Sequence, residues 1–245
     1  GAIVGPLIAF GFLSILPGNY RLIFVVAGIP AIIAIFVIIF GIKEAKKSKS
    51  DLISRFQFRD LPTRYYFFLG IVFVFTLGNS TDALLMVKAN EVGVKIAFIP
   101  LVYLLTNLVS VLAAIPLGTL SDRIGKEKIL ITGYVIYSVV YFGFGITTST
   151  RAIVALFALY GLYSASTDGV QKAFVSDLTD KNKKGTGLGI YNALLGITLL
   201  PASIIAGLMY DKVDSSVPFY FGASTSILAA ILMLSFMLFN KRNPI

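Results

Sequence analysis

The sequence predicts an all-α integral membrane protein, a bundle of eight membrane-spanning helices. Three observations carry this reading. The 245-residue chain is 57% hydrophobic and only 13% charged, with a mean hydropathy of +0.87, against about 45–50% apolar and about 25% charged in soluble proteins. Its apolar residues fall in runs long enough to cross about 30 Å of hydrocarbon at about 1.5 Å per helical residue. Its Lys and Arg gather in the connections between those runs.

Taken in order, the spans are residues 1–16, then about Leu22 to Ile42, followed by a charged segment from Lys43 to Arg64. Six more follow at about 65–87, 96–119, 129–148, 152–174, 186–209 and 218–239. The chain therefore divides into residues 1–42, a linker 43–64 and a six-span unit 65–245. The first span is short and opens on Gly1 inside an apolar run, without Met or a basic leader, so it is no signal peptide. It reads as a chain that begins in mid-protein.

Sixteen of the 21 Lys and Arg lie in the linker, in 121–128, in the 172–184 region and in the C-terminal tail. Arg21, Lys88, Lys95, Arg151 and Lys212 lie on the other side. Every span flips the side. By the positive-inside rule the first set is cytoplasmic, and the C-terminus with it. The net charge of +9 is then a topology signal, with the lipid bilayer and its anionic headgroups as the contact and no role for nucleic acid. The linker carries Leu52, Ile53, Phe56, Phe58 and Leu61 among its charges. It reads either as an amphipathic segment on the membrane surface or as an unstructured linker.

With no Cys and no His, the chain has no disulfide, no Cys/His metal site and no imidazole catalysis, and no cofactor is implied. The phosphate-loop pattern is also missing; "GTGLG" (Gly185–Gly189) opens a span with no strand before it, so its glycines read as helix-packing sites.

"GTLSDRIGKEK", Gly118 to Lys128, packs five charged residues between two apolar runs. "GAIVGPLIAFG" (Gly1–Gly11) aligns with "GITLLPASIIAG" (Gly196–Gly207), pairing Gly1 with Gly196 and Pro6 with Pro201. Weak repeats between halves are a way of building secondary transporters. The knot resembles the loop motif of the major facilitator superfamily (MFS), Gly-x-Leu-x-Asp-Arg-x-Gly-Arg/Lys-x-Lys, through Gly118, Leu120, Asp122, Arg123, Gly125, Lys126 and Lys128. "GAIVGPLI" is similar to the fifth-helix motif associated with antiporters, matching at Gly1, Gly5 and Pro6, with Ala9 and Phe10 where the family pattern ends in two glycines.

The resemblance implies an MFS-type helical bundle, with this chain as helices 5 to 12 of twelve and four N-terminal helices expected upstream. It implies a secondary active transporter that moves a small-molecule solute by alternating access. Asp122 is then expected to meet the cytoplasmic start of the first span. Arg123, Lys126 and Lys128 are expected to hold nearby carboxylates and carbonyls, while Gly118 and Gly125 allow close approach. The knot becomes a latch closed in one state and open in the other; the plainer reading is a tight turn with snorkelling bases.

Polar groups inside a span are costly and face a cavity or a partner. At helical spacing the 152–174 span carries Tyr160, Tyr163, Ser164, Thr167, Asp168 and Gln171. The 96–119 span adds Tyr103, Thr106, Asn107 and Ser110, the 65–87 span Thr76, Asn79, Ser80 and Asp82, and the 186–209 span Tyr191 and Asn192. Gly78 allows a bend. The substrate-cavity set is Asn79, Tyr103, Asn107, Tyr160, Tyr163, Ser164, Thr167, Gln171 and Asn192. The stripe Tyr134, Tyr137, Ser138, Tyr141 reads as helix packing, and the last span as lipid-facing.

Asp82 and Asp168 are the candidates for ion coupling, since desolvation favours a neutral carboxyl and suits uptake and release of protons. Asp82 reads alternatively as wetted by an outer vestibule near Lys88, and Asp168 as the partner of Lys172 four residues on. Asp177 and the following "DKNKK" run read as a solvated loop. Pro100, Pro116 and Pro201 mark bends. A hydrophobic drug-like solute or a sugar would both fit the stripes. The other classes are a membrane enzyme, for which no polar catalytic cluster stands out, and a non-transporting membrane protein.

Overall fold

The computed structural model describes residues 3–15, 20–41, 61–79 and 82–242. Among them lie the α-helices α1 (Val4–Ile15), α2 (Tyr20–Gly41), α3 (Thr63–Gly78), α4 (Ala83–Glu91), α5 (Ile99–Ile124), α6 (Lys126–Ile146), α7 (Thr150–Asp177), α8 (Lys184–Lys212) and α9 (Val217–Arg242). No strand occurs among the described residues. The fold is the all-α membrane bundle that the composition implies. Six helical stretches are long and apolar enough to cross a membrane, counting α3 with α4; Val4–Ile15 and Gly28–Val37 are apolar but shorter. Residues 43–60 of the linker and Gly1 lie outside the described residues.

Local chemistry sets the breaks. Pro62 precedes α3 in extended backbone, φ −60° and ψ 148°, where a residue before a helix pays no hydrogen bond for lacking an N–H. Pro100 falls in the first turn of α5, the position where a helix tolerates it best. Pro116 and Pro201 lie inside α5 and α8, which run on through them.

The 65–87 span is two helices. α3 stops at Gly78 and α4 starts at Ala83, and Gly78 is also where α3 crosses α9. Gly78 meets Gly222 of α9: a Cβ on Gly78 would strike Thr225 and lie 2.9 Å from the Gly222 Cα, and a Cβ on Gly222 would lie 2.7 Å from the Gly78 carbonyl oxygen. Two glycines thus let the backbones of α3 and α9 cross where no larger residue fits.

The core runs between α3, α6, α7 and α9, with α5 packed on α7, and α8 on α3 and α7. It is aromatic. Phe75 stacks on Tyr134 at 4.6 Å between ring centres and meets Tyr137 edge-on at 5.0 Å, while Tyr137 stacks on Tyr141 at 4.0 Å. Each such pair contributes about 0.5–1.5 kcal/mol beyond area burial. The Ser138 hydroxyl donates to the Ala223 carbonyl at 2.9 Å and that of Ser226 to the Tyr134 carbonyl at 2.7 Å, stitching α6 to α9.

One expectation is corrected here. The last span is not simply lipid-facing: α9 buries Phe219, Ala223, Ala230, Met233 and Phe236 in the core and exposes Ile227, Leu228, Ile231, Leu234 and Phe239. Lipid tails are as apolar as a neighbouring helix, so composition alone does not tell the two faces apart. α1 packs along α5, with Phe10 against Phe98 at 5.8 Å, and α2 keeps Ile32, Ile33, Phe36 and Phe40 exposed.

Candidate functional site: a polar pocket and a charged turn

The break between α3 and α4 brings Asp82 to the pocket wall. A residue just before a helix ordinarily turns its side-chain oxygen onto that helix's own N–H groups. Asp82 makes no such cap. Its Oδ1 accepts the Tyr160 hydroxyl of α7 at 2.7 Å, and its Oδ2 accepts the Tyr103 hydroxyl of α5 at 2.9 Å. One carboxylate thus joins three elements, through charge-assisted bonds that are stronger than neutral ones.

Asn79, the last residue before the gap, is held by tyrosines as well. Its Nδ2 donates to the Tyr163 hydroxyl at 3.4 Å, and the Tyr137 hydroxyl lies 3.3 Å from its Oδ1 and 3.1 Å from the Gly78 carbonyl. Deeper along α7, Ser164 donates to Asp168 at 2.6 Å, and Ser110 of α5 donates to Ser164 at 3.2 Å.

These groups surround a cavity of about 550 Å³ lined by Asn79, Asp82, Tyr103, Thr106, Asn107, Tyr160, Tyr163, Ser164, Asp168, Leu199 and Ser203. Six of the nine predicted cavity residues line it, together with Asp82 and Asp168. Its wall carries two carboxylates and no Lys or Arg. A smaller cavity of about 230 Å³ shares Ser164 and Asp168 and runs between α5 and α7 to Gly118, Ser121 and Asp122.

Three predicted cavity residues fall elsewhere. Thr167 is buried and donates to the Tyr163 carbonyl of its own helix at 3.0 Å. Gln171 is buried too: its Nε2 donates to the Tyr134 hydroxyl at 3.2 Å and its Oε1 accepts the Tyr191 hydroxyl at 2.6 Å, tying α7 to α6 and α8. Asn192 is exposed and lies outside the cavity. Their helical spacing was right, but a stripe wider than the cavity turns part of itself into helix contacts. Leu199 and Ser203, one turn apart on α8, were missed, and their spacing beside Pro201 was the available signal. Thr76 donates to the Val72 carbonyl of its own helix at 2.7 Å, and Ser80 lies outside the described residues.

Asp168 forms no close ion pair with Lys172 among the described residues, although Lys172 is near enough to act on its charge; Ser164 donates to it at 2.6 Å, and both charged residues are exposed. Nor does Lys88 reach Asp82. It is buried in the last turn of α4, 3.7 Å from Glu91 and 3.5 Å from the Ser215 hydroxyl.

The charged knot is almost wholly helical. α5 runs through Asp122 and Arg123 to Ile124, and α6 begins at Lys126. The single residue between them, Gly125, takes φ +102° and ψ 138°, backbone that disfavours any side chain. Lys126 lies 3.3 Å from Asp122 and 2.8 Å from Asp177, so it joins the ends of α5, α6 and α7. Asp177 is therefore the last residue of a helix and an ion-pair partner, not part of a solvated loop. Arg123 and Lys128 are exposed, with no ion pair among the described residues.

Of the glycines read as packing sites, Gly187 is closely packed: a Cβ there would lie 2.6 Å from Thr179 Cγ2, and the Tyr65 hydroxyl donates to its carbonyl at 2.8 Å, whereas Gly185 and Gly189 meet nothing within 4 Å. A Cβ at Gly5, Gly118 or Gly196 would meet nothing within 4 Å. Pro6 lies in the first turn of α1, and Pro201 is exposed on α8. A small residue permits close approach only where a helix lies opposite, and none of the described helices does so at Gly5, Gly118 or Gly196.

A sequence model of the Major Facilitator Superfamily matches residues 66–244. The chain is also 32% identical, over 240 residues, to an uncharacterized MFS-type transporter of Methanocaldococcus jannaschii, covering 96% of itself and 60% of that protein. The Multidrug resistance protein 1 of Bacillus subtilis is 27% identical over 72% of the chain and 43% of its own length. The quinolone resistance protein NorA of Staphylococcus aureus is 25% identical over 48% of the chain and 30% of its own. The chain belongs to the major facilitator superfamily of membrane transporters, and it spans 60% of the length of the archaeal relative.

Proposed function

We propose that the protein is a secondary active transporter that binds a small solute in the Asp82–Asp168 pocket and exports it by alternating access, with proton exchange as the driving reaction. The observation that carries this reading is the pocket itself: a cavity inside a membrane bundle, walled by tyrosines and amides and holding two carboxylates without a base. Polar groups at that depth are costly unless they serve a ligand or an ion. Tyrosine faces suit an apolar or aromatic solute, and the carboxylates suit one bearing a positive charge. Relatives named for multidrug and quinolone resistance support an efflux role for a compound of drug-like size.

In this reading Asp82 is the coupling carboxyl. Protonation would weaken its grip on Tyr103 and Tyr160, and with it the tie between α4, α5 and α7. Asp122, Lys126 and Gly125, with Arg123 and Lys128 beside them, form a cytoplasmic latch whose pairs change between states. Rocking of two halves about a shared pocket requires a second helical half facing α5 and α8. The clustered Lys and Arg support a cytoplasmic C-terminus in this reading, with residues 43–64 as the link between the two halves.

The test is flux in proteoliposomes loaded with a cationic dye under an imposed proton gradient. Saturable dye movement that dissipates the gradient supports the reading. If Asp82→Asn leaves proton-coupled flux unchanged, the coupling role is wrong. If no variant or solute gives saturable flux, the transport role fails with it.

A further inference from the structure

A second cavity, larger than the polar pocket, lies away from it. Between the start of α3 and the end of α9 runs an open groove of about 680 Å³. Its apolar part is Phe67, Phe236 and Phe239, with Phe67 stacked on Phe236 at 5.7 Å and Phe239 64% exposed. Its polar part is Thr63 and Arg64 from the first turn of α3, and Asn240 from the last turns of α9. The groove is thus amphiphilic along its length.

We infer that this groove binds one anionic phospholipid, with a hydrocarbon chain along Phe67, Phe236 and Phe239 and the phosphate against Arg64. Two further observations point to a headgroup. The side-chain Oδ1 of Asn240 is buried and has no hydrogen-bond partner among the described residues, and a buried acceptor in that state calls for a donor, which a ligand hydroxyl or ammonium would supply. The N-terminus of α3, where Pro62 offers no side-chain cap, supplies Thr63 and Arg64 to the same polar part, so the positive end of the helix lies beside it. Arginine holds phosphate through paired, charge-assisted bonds.

Charge selects the lipid. The groove lies at the end of the bundle where α3, α6 and α8 start, which carries Arg64, Arg123, Lys126, Lys128, Lys183 and Lys184, and an anionic headgroup is drawn to such a surface. A phosphatidylglycerol fits all three features, its phosphate meeting Arg64, its glycerol hydroxyls reaching Asn240 and its chain following the phenylalanines. The assignment to the cytoplasmic leaflet rests on the orientation proposed above; the binding itself does not.

The test is native mass spectrometry of the full chain released from mixed micelles containing equal amounts of phosphatidylglycerol and phosphatidylcholine. One phosphatidylglycerol is expected to be retained, with a preference of about tenfold, the effect of one charge-assisted bond. Ser235 is exposed on the groove wall, so Ser235→Trp fills the space without touching the core and should remove the bound lipid. Arg64→Gln should keep a lipid but lose the preference for the anionic one. Equal retention of both lipids by the wild type, or a preference that survives both substitutions, overturns the site. So does a wild type free of lipid that gains one when Leu52, Ile53 and Phe56 are changed to Ser, which would make the linker the occupant. No flux is read in this experiment, so failure of the transport proposal leaves its result standing.

Discussion

The Tyr160 hydroxyl donates to Asp82 Oδ1 at 2.7 Å, and this bond fastens the start of α4 to the middle of α7. With the Tyr103 bond to Oδ2, it makes Asp82 the point where the broken helix, α5 and α7 meet. The carboxylate has been withheld from capping its own helix in order to make these contacts.

Tyr160→Phe should therefore weaken solute handling without unfolding the protein. The ring still packs against Tyr163 at 5.2 Å and Tyr137 at 6.2 Å, and only the hydroxyl is lost. A hydrogen bond to a charged group contributes about 1.5–3 kcal/mol, so apparent affinity in a dye-flux assay should fall about tenfold or more. The purified variant should stay folded and melt only somewhat lower, because Asp82 and Tyr160 both lie on the cavity wall, where water can take the place of the lost hydroxyl. A variant with wild-type flux would mean that the Asp82 clamp has no part in the cycle.

Gln171→Leu should show the opposite profile. The amide is buried between the Tyr134 and Tyr191 hydroxyls, and its loss leaves each without that partner, at about 1–3 kcal/mol for a buried unsatisfied group. The melting temperature should drop clearly, while the order of preference among transported solutes stays the same. Adding Tyr134→Phe and Tyr191→Phe should recover part of the loss. A change of solute preference with an unchanged melting temperature would instead return Gln171 to the pocket.

Much of this arrangement was legible in the sequence, and the gaps have physical causes. Apolar runs and charged connections marked each span, because crossing hydrocarbon leaves few alternatives. Asp82 and Asp168 stood out for the same reason, and the spacing of Tyr160, Tyr163 and Ser164 placed them on one helix face. Sequence could not show that Asp168 takes a short hydrogen bond from Ser164 and no close ion pair with Lys172, since both partners lie within reach on the same helix. Nor could it show that Lys126 finds Asp177 at the end of another helix, because that pairing depends on how α6 and α7 pack. The buried face of α9 was hidden because lipid and protein neighbours demand the same side chains.

Gly222→Ala should destabilise the bundle at its tightest crossing. The new methyl would lie 2.6 Å from a Tyr141 ring carbon and 2.7 Å from the Gly78 carbonyl oxygen, and neither can retreat easily from a packed core. Overpacking of this kind costs about 1–3 kcal/mol. The loss should appear as a lower melting temperature in detergent. An unaltered melting temperature would mean that α3 and α9 slide apart without penalty there.

Gly125→Ala should act through backbone strain alone. At φ +102° and ψ 138° a side chain costs about 1–3 kcal/mol, and Glu127 Oε2 already lies 3.3 Å from where the methyl would stand. Either α5 or α6 must fray at its end to relieve it. Proteolysis near Lys126 should become faster, and the variant should melt earlier. A protease-resistant variant of wild-type stability would show that the turn tolerates an ordinary residue.

Lys126→Gln separates the latch from mere stability. Its partners are half or more exposed, with side-chain exposures of 72% for Asp122 and 54% for Asp177, and exposed ion pairs contribute only about 0–1 kcal/mol each. The melting temperature should therefore move little, and raising salt should reduce what effect remains, because exposed pairs are screened. If the pairs hold one conformation of the transport cycle, the same substitution should still change flux severalfold, and a cysteine placed at Ser121, buried beside the knot, should react faster with a thiol reagent. Lys126→Arg keeps the charge and should restore both readings. A variant in which flux and labelling follow the small change in stability would leave the knot as a turn that simply joins α5 to α6.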